Sequence, residues 1–394
     1  MYYPRKIQKD LKNQLKFREI VVLTGMRRVG KTTLMRWLFD QVQSHNKVFL
    51  DLENLIDQKV FDEIDFNNIW HNLKPYGISS KTKSYIFVDE IQLMPQAIKA
   101  IKYLYDHYDV KFFITGSSSF YLKNLFPESL AGRKVVFELF PLTFQEFLTF
   151  KEISKPEIKN LERKVKEKNF VNYEKYKKFY DEYLQFGGFP QVVLQDDIQQ
   201  KEYYLNDIFN SYFEKDVKTL ADFRSINTLR EFILILMQRT GSKLDISKLA
   251  SELKISRPTV YSYLNFLSST YFLHLVPPYS KSIDREVSSA KKVYFCDTGL
   301  LNWLTRLSDG ALFENAIFNQ IKTYGGIKYY QKRSGAEIDF VIPEQSLAFE
   351  VKITATERDL KKLERLSSEL NFKKYFIISK NYTELPHTIL AIDI

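Results

Sequence analysis

Residues Arg18–Val42 have the sequence REIVVLTGMRRVGKTTLMRWLFDQV, and this stretch decides the fold of the N-terminal third. The run Ile20–Leu23 is rich in β-branched residues and predicts a buried strand. GMRRVGKT follows and fits the pattern G-x-x-x-x-G-K-[ST], after which Thr33–Val42 continues as an amphipathic helix. A strand, a glycine-rich loop and a helix in this order are the context in which such a loop binds phosphate, so we predict a P-loop.

The residue types of the loop predict how it holds a nucleotide. Its glycines let the backbone curl until N–H groups face a phosphate, and the following helix N-terminus adds partial positive charge. Lys31 is expected to contact the β- and γ-phosphates, and the Thr32 hydroxyl to ligate Mg²⁺, so ATP and Mg²⁺ are the expected cofactors. The predicted nucleotide-binding residues are Gly25, Met26, Arg27, Arg28, Val29, Gly30, Lys31, Thr32 and Thr33. A chance glycine-rich turn would not account for the flanking strand and helix.

A second apolar strand, Tyr85–Val88, ends in the pair Asp89-Glu90. Asp89 is expected to hold Mg²⁺ through water, and Glu90 to polarise the attacking water. The adjacent glutamate therefore predicts hydrolysis of the nucleotide and not binding alone.

A third strand begins at Lys111 in KFFITGSSS and ends in small hydroxyl side chains, Thr115 and Ser117–Ser119. The carboxyl ends of strands in a parallel sheet line the ligand crevice. Ser117 is the residue that we expect to sense the γ-phosphate or to orient water. Alternatively, the serine run caps the helix that follows.

Taken in order, GMRRVGKT, YIFVDEIQ, ITGSSS, LAGR and FPLTFQEF resemble a family of AAA-type ATPases that is common in prokaryotes and related to the STAND ATPases of archaea. FGGFP at Phe186–Pro190 and FEKDV at Phe213–Val217 are similar to further elements of that family. The resemblance covers nearly the whole chain. It implies an ATPase fold and nucleotide hydrolysis, but no particular pathway.

The resemblance also concerns Arg133 of LAGR, which lies between a helix and the predicted strand Val135–Leu139. It implies that Arg133 reaches the γ-phosphate of a neighbouring subunit, which would require a homo-oligomer. The alternative is a surface arginine that pairs with a carboxylate.

Lys243–Val276 has the pattern of a helix-turn-helix followed by a wing. Two short apolar stripes are separated by a tight turn at Lys254–Ser256, and Phe272–Val276 is a predicted strand. The second helix would present polar groups to phosphates and bases. These groups are Arg257, Thr259, Tyr261, Ser262 and Asn265. Such a module also serves in ATPases for packing or protein contact, and that alternative stays open.

The C-terminal hundred residues predict a helix carrying Glu314, three strands, a second helix and a last strand. Asp297 is well placed to cap an earlier helix of this region. The order helix, three strands, helix, strand resembles the restriction-endonuclease-like PD-(D/E)XK fold. The residues that carry this resemblance are Glu314, Asp339, Glu350 and Lys352. The stretch Ala336–Asp339 departs from the pattern because it lacks the Pro-Asp pair.

Phosphodiester cleavage uses a divalent metal, and two carboxylates on adjacent strands make an oxygen-rich Mg²⁺ site. Asp339 and Glu350 are the predicted ligands, while Lys352, two residues after Glu350 and on its face, would orient water or stabilise the phosphorane. Glu314 is expected to complete a second metal site. The alternative is that these residues serve binding of DNA or protein without cleavage.

The composition narrows the class of protein and its partners. The 394 residues carry a net charge of +10, which fits a polyanion such as DNA, or alternatively a lysine-rich solubilising surface. The single cysteine, Cys296, excludes a disulfide and a cysteine-based zinc site. No apolar run approaches the roughly 20 residues of a membrane span, and no signal-peptide core is evident. We therefore predict a soluble, cytoplasmic protein with no membrane partner.

The fold predicted from these patterns is α/β, in four parts. They are residues 1–150, a P-loop AAA-type core with a parallel sheet; 151–240, a helical lid or connector; 241–290, a winged helix-turn-helix; and 291–394, a restriction-endonuclease-like α/β domain. The predicted function is ATP hydrolysis that gates the action of the last two parts on DNA. The alternative is a nucleotide-dependent signalling or scaffold switch whose nuclease-like part binds without cleaving. A small-molecule kinase is disfavoured, because Asp89-Glu90 favours water as the acceptor.

Overall fold

The computed structural model describes residues 2–116, 132–217, 226–280, 282, 284, 286 and 289–394. Within these limits the chain divides into two compact units. The first comprises residues up to 140 together with 211–217 and 269–271, and the second comprises 141–210, 226–268 and 272–394. No helix in the described part of the chain is long and apolar enough to cross a lipid bilayer. The predicted Ser117 lies outside the described residues.

The first unit is built on a parallel sheet. Its strands are β1 (Ile20–Thr24), β2 (Lys47–Asp51), β3 (Ser84–Asp89), β4 (Val110–Gly116) and β5 (Lys134–Glu138). In the described residues these five strands lie in the order β2-β3-β4-β1-β5, and every neighbouring pair is parallel. Because all strands point the same way, the carboxyl ends of β1, β3 and β4 lie at one edge of the sheet. The predicted P-loop core is confirmed.

Helices flank this sheet and bury its apolar faces. They are α1 (Gln8–Asn13), α2 (Lys31–Gln41), α3 (Leu55–Lys59), α4 (Ile69–Leu73) and α5 (Ala97–His107). Strand β1 is buried along its whole length, as its β-branched sequence predicted. A π-helix at Tyr212–Val217, which contains the FEKDV sequence, belongs to the same unit.

The second unit is rich in helices. They are α6 (Phe144–Phe150), α7 (Leu161–Lys166), α8 (Phe170–Phe186), α9 (Pro190–Val193), α10 (Ile198–Ser211), α11 (Ile226–Gln238), α12 (Ile246–Glu252), α13 (Arg257–Ser269), α14 (Thr298–Leu304), α15 (Asp309–Ile321) and α16 (Glu357–Glu369). Its strands are β6 (Leu273–Val276), β7 (Lys292–Phe295), β8 (Lys328–Gln331), β9 (Glu337–Ile342), β10 (Leu347–Lys352), β11 (Lys374–Ser379) and β12 (Thr388–Leu390). The lysine-rich stretch after residue 151 is helical only from Leu161 onward.

Helices α12 and α13 are joined by a tight turn, and β6 follows and pairs with β7 in an antiparallel two-stranded sheet of described residues. Apolar side chains of α13, among them Val260, Leu264 and Leu267, are buried on one side of the helix. The segment thus has the order of elements that the sequence predicted.

The C-terminal part contains α15, β8, β9, β10, α16 and β11 in the predicted order, and adds β12. The described strands form a mixed sheet, β12-β11-β10-β9-β8, in which β9 is antiparallel to both neighbours. Helix α16 buries Leu363 and Leu366 against Ala348 and Ile377 of the sheet. This packing holds β10 and α16 together and so positions the polar side chains that the two elements carry.

The FGGFP sequence is a structural junction of the second unit. Gly188 donates its N–H to Asp297 Oδ2 at 2.7 Å, and its carbonyl accepts from the N–H of Leu142 at 2.7 Å. The other oxygen of Asp297 accepts from Leu300 N at 3.1 Å, so the predicted cap of α14 is confirmed. A Cβ at position 188 would lie 2.4 Å from the carbonyl oxygen of Leu142, which leaves room for glycine alone.

Gly188→Ala is expected to lower the free energy of unfolding by about 1–3 kcal/mol, because the added methyl group must displace the backbone of residue 142. Chemical denaturation measures the change. Gly310→Ala is the matched control, since a Cβ there meets nothing within 4 Å. Equal stability of the two variants would contradict the role of this junction.

Candidate functional site

The P-loop connects β1 to α2 and lies close against the strand edge. Gly25 has φ +152°, and a Cβ there would lie 2.1 Å from the carbonyl oxygen of Leu139. Glycine is therefore required sterically at the start of the loop. Lys31, the first residue of α2, turns its ammonium back into the loop and donates to the carbonyl oxygens of Gly25 and Met26, each at 3.0 Å. The predicted phosphate-binding lysine thus lies at the mouth of the loop.

The two predicted Mg²⁺ ligands of this site are brought together. Asp89 ends β3 and is buried, and burial raises the pKa of its carboxyl group, while hydrogen bonds from the Thr115 and Thr32 hydroxyls oppose that shift. Thr115, at the end of the neighbouring strand β4, donates to Asp89 Oδ1. The hydroxyl of Thr32 and the carboxylate of Asp89 form the oxygen-rich pair that a Mg²⁺ ion needs.

Glu90 follows at the same strand edge in a left-handed conformation, φ 55°. A non-glycine residue in this region is strained and needs support from its surroundings. Thr115 gives part of that support, because its hydroxyl oxygen accepts from Glu90 N at 3.1 Å. The side chain of Gln92 donates to Glu90 Oε2. Thr115 was noted in the sequence as one of several hydroxyls, but its position between Asp89 and Glu90 was not predicted.

Arg27 of the P-loop forms a buried ion pair with Asp216. Arg27 Nε lies 3.0 Å from Asp216 Oδ2, and Arg27 Nη1 lies 4.0 Å from Glu90 Oε1. Asp216 belongs to the π-helix and is only 2% exposed. Burial lowers the pKa of Lys31, and the carboxylates of Glu90 and Asp216 oppose this shift. In the sequence, Asp216 was noted only as part of FEKDV, which resembles an element of the family. That resemblance did not predict a role for Asp216.

Arg133 lies away from this site in its own chain. Its carbonyl oxygen accepts from the N–H of Ile20, where β1 begins, whereas the P-loop follows the end of β1. Its side chain pairs with Asp106 at 2.8 Å, which corresponds to the surface ion pair named above as the alternative. Contact with a neighbouring subunit stays a prediction.

The C-terminal candidate site lies on β9 and β10. Asp339 Oδ2 accepts from the backbone N–H of Val351 at 2.8 Å, which holds its carboxylate next to β10. Glu350 is 1% exposed, and its pKa is raised by burial and by the charge of Asp339. The sequence spacing therefore brought the two predicted carboxylates together.

Two lysines neutralise one oxygen of Glu350. Lys352 Nζ lies 2.9 Å and Lys362 Nζ 2.5 Å from Oε1, whereas Oε2 is buried and has no hydrogen-bond partner among the described residues. A buried carboxylate oxygen without a partner is costly, and a metal ion would satisfy it. Lys352 was predicted, but Lys362 on α16 was not, because an amphipathic helix gives no signal for one inward lysine.

Glu314 of α15 has partners of its own. Tyr294 donates to Glu314 Oε1 at 2.6 Å, and Lys292 Nζ lies 3.6 Å from the same oxygen. Burial and the charge of Asp339 raise the pKa of Glu314 to about 7, although Lys292 and the hydrogen bond from Tyr294 oppose the shift. In the described part of the chain, no three His, Cys, Asp or Glu side chains form a group that could hold a metal ion. Among the described residues, Asp339 and Glu350 are thus a pair of neighbouring carboxylates and not part of a larger group of this kind.

The predicted DNA-contacting residues lie along α13. Arg257, Tyr261, Ser262 and Asn265 are exposed, and Thr259 is half-buried. Tyr261 and Asn265 line a groove of about 790 Å³ between α13 and the β6–β7 strands. Other residues that line the groove include Lys243, Ser268, Leu275, Ser289 and Lys291.

Three family models match the chain. One described as "AAA domain" matches residues 17–148, and two described as "Domain of unknown function", DUF8612 and DUF4143, match residues 177–311 and 309–393. The "Uncharacterized protein MJ1544" of Methanocaldococcus jannaschii is 30% identical over 382 residues, which cover 92% of this chain and 82% of that protein. The chain belongs to the same family as MJ1544. An "Uncharacterized protein" of Haemophilus influenzae is 28% identical and aligns over 93% of this chain and 90% of its own length.

Among solved structures, the Walker-type ATPase PABY2304 of Pyrococcus abyssi is similar with a TM-score of 0.50 and 15% identity. The similarity covers 77% of this chain and 96% of that one. At this identity the likeness concerns the fold. Together with the AAA domain match, it confirms that the N-terminal part of this MJ1544-family protein is an AAA-type P-loop domain.

Thr115→Val is expected to weaken the Mg²⁺-dependent binding of ATP roughly 10–100-fold, because Asp89 loses the hydroxyl that orients it. Titration of a fluorescent ATP analogue with and without Mg²⁺ measures the effect.

Thr24→Val, on the neighbouring strand β1, is the matched control. The Thr24 hydroxyl is buried without a hydrogen-bond partner among the described residues, so its loss should leave affinity unchanged. An equal loss of affinity in both variants would argue against a specific role for Thr115.

Proposed function

We propose that this protein hydrolyses ATP and acts on DNA, and that turnover gates a DNA-binding helix-turn-helix and a metal-dependent phosphodiesterase site in the C-terminal sheet. The AAA-type domain supports the first part. The polar groups on α13 and on β9 and β10 support the second. The four-part division into core, lid, winged helix and nuclease-like domain is part of the same proposal.

The convergence of Thr32, Asp89 and Glu90 at one sheet edge carries the hydrolysis proposal. The loop N–H groups and the N-terminus of α2 bind the phosphates, and Lys31 exchanges its loop carbonyls for phosphate oxygens. Thr32 and Asp89 would hold Mg²⁺, which neutralises charge on the phosphates when bound. Glu90, supported by Thr115, orients a water molecule and accepts its proton.

The ion pair of Arg27 with Asp216 is the proposed gate. Asp216 belongs to the ATPase unit, yet the chain on either side of residues 211–217 continues into the second unit. When Glu90 turns toward a nucleotide and water, its carboxylate moves away from Arg27. The ion pair between Arg27 and Asp216 then changes its geometry. A shift of the π-helix would then be passed along the chain to α10, which ends at the residue before it.

The groove beside α13 is the proposed DNA contact. Lys243 and Lys291 provide positive charge for phosphates, while Tyr261 and Asn265 provide stacking and amide groups for bases. The net charge of +10 adds a general attraction for a polyanion. A homo-oligomer in which Arg133 reaches a neighbouring ATP site remains part of the proposal.

The unsatisfied Glu350 Oε2 beside Asp339 carries the phosphodiesterase proposal. These two carboxylates would hold one divalent cation, which activates water and neutralises the leaving oxygen when bound. Burial lowers the pKa of Lys352, but Asp339 and Glu350 outweigh this effect and raise it, so the side chain stays cationic. Its ammonium group is then available to stabilise the negative charge that develops on the phosphate.

Lys31→Ala and Glu90→Gln should each lower Mg²⁺-dependent ATP turnover by about 100-fold or more, because one removes the phosphate-binding cation and the other the base. The two differ in binding: Glu90→Gln keeps affinity for ATP, whereas Lys31→Ala loses it. A phosphate-release assay and an equilibrium binding assay separate them. Full turnover in Glu90→Gln would contradict its role as base.

Lys352→Ala is expected to reduce nicking of supercoiled DNA by roughly 100-fold while ATP turnover stays normal. Gel assays with Mn²⁺ or Mg²⁺, with and without ATP, measure it on wild type and on the Lys31→Ala variant. Cleavage that survives Lys352→Ala would contradict the assigned site. If wild type binds DNA in a salt-sensitive way but does not cleave it, the result would favour the alternative function. The protein would then be a nucleotide-dependent signalling or scaffold switch whose C-terminal sheet binds without cleaving.

A further inference from the structure

Lys292, on strand β7, lies between two carboxylates of the C-terminal candidate site. Its ammonium group donates to Glu337 Oε1 and lies 3.6 Å from Glu314 Oε1. The residue is 4% exposed, so water contributes little to its solvation. A buried lysine keeps its charge only where carboxylates compensate for the lost water. Here two carboxylates surround one ammonium group.

Tyr294 completes this arrangement from the same strand. Positions 292 and 294 point to one face of β7, because side chains alternate along a strand. Tyr294 donates to Glu314 Oε1 at 2.6 Å, the oxygen that also faces Lys292. Strand β7 thus holds Glu314 with one hydrogen bond and one ion pair, and Glu314 is turned toward β7.

The charges around Lys292 keep it cationic. Burial lowers its pKa, but the carboxylates of Glu314, Asp339 and Glu337 together outweigh burial and raise it. Across the site, Lys352 and Lys362 share one oxygen of Glu350 and leave the other unsatisfied. Among the described residues, Glu350 Oε2 is therefore the buried oxygen of this site without a hydrogen-bond partner, while Glu314 Oε1 already faces Tyr294 and Lys292.

We propose that Lys292 replaces the second metal ion of this site: one divalent cation binds between Asp339 and Glu350, and the Lys292 ammonium group takes the cation position between Glu314 and Glu337. This inference rests on the proposed metal-dependent phosphodiesterase function and specifies its metal content. Paired metal ions lie about 3.5–4 Å apart and need carboxylates around both of them. A lysine already bound by two of the carboxylates removes that possibility. Glu314 is then a positioning residue for Lys292, which replaces the expectation that it completes a second metal site.

Mn²⁺ titration of the full chain without nucleotide, followed by calorimetry and by the electron paramagnetic resonance signal of free Mn²⁺, tests the proposal. The double variant Asp339→Asn/Glu350→Gln gives the background, including any ion at Thr32 and Asp89. Above that background, wild type is expected to bind one Mn²⁺ per chain. Glu314→Gln and Lys292→Arg are expected to bind one as well.

Lys292→Met is the decisive variant, and it is expected to bind two Mn²⁺ ions, because Glu314 and Glu337 are freed for a second ion. Adding Glu314→Gln should restore a count of one. Lys332→Met is the matched control, because Lys332 pairs with the half-exposed Glu369 instead of a buried acid, and its count should stay at one. Circular dichroism establishes that each variant is folded.

The counts distinguish the possible failures. Two ions in wild type, with one lost in Glu314→Gln, would make Glu314 a metal ligand and overturn the inference, and this outcome needs no Lys292 variant to fold. One ion in both wild type and Lys292→Met would overturn the role of Lys292 and leave the phosphodiesterase proposal standing. No ion above background in wild type would overturn both.

Discussion

A buried carboxylate needs a cation or several donors, and this requirement determines how both candidate sites are built. Moving an ionised carboxylate out of water costs several kcal/mol, roughly, unless charge and hydrogen bonds replace the water. At the P-loop, Arg27 meets this requirement for Asp216. In the C-terminal sheet, Lys352 and Lys362 meet it for Glu350, and the buried Lys292 pairs with the partly exposed Glu337. Removing Arg27 or Lys292 would take a cation away from its acid, whereas Glu350 has two lysines and would keep one of them.

The same requirement explains why elements distant in sequence meet at each site. Asp216 is far along the chain from the P-loop, and Lys292 precedes the C-terminal sheet altogether. Both side chains are charged and form ion pairs, so neither contributes to an apolar face. Each connects a separate segment of its unit to the residues that would bind a ligand. A change in the charge of either site would therefore also affect the segment that carries Asp216 or Lys292.

The sequence allowed prediction of those parts of the fold that depend on local pattern. The β-branched run at Ile20–Leu23, the loop after it, the carboxylate at the end of β3 and the carboxylates within β9 and β10 follow from periodicity and spacing. Partners from elsewhere in the chain, such as Lys362 and Asp216, could not be predicted, because their sequence neighbourhoods are ordinary helical patterns. Lys292 was not predicted either, although a lysine in the apolar strand sequence KKVYF could have indicated a buried cation that needs an acid nearby. Ser117 lies outside the described residues, so its predicted role is unchanged.

The first unit is discontinuous in sequence, since residues 211–217 and 269–271 belong with the N-terminal sheet. On a ribosome, the P-loop emerges long before the acid that pairs with Arg27. Until Asp216 is synthesised, the acid that pairs with Arg27 at 3.0 Å is missing, and the loop lacks part of its final electrostatic environment. The nucleotide site therefore matures late in synthesis, after much of the helical chain between the two parts has been made. A fragment cut after residue 150 would retain every P-loop residue and still lack the carboxylate that sets the position of Arg27.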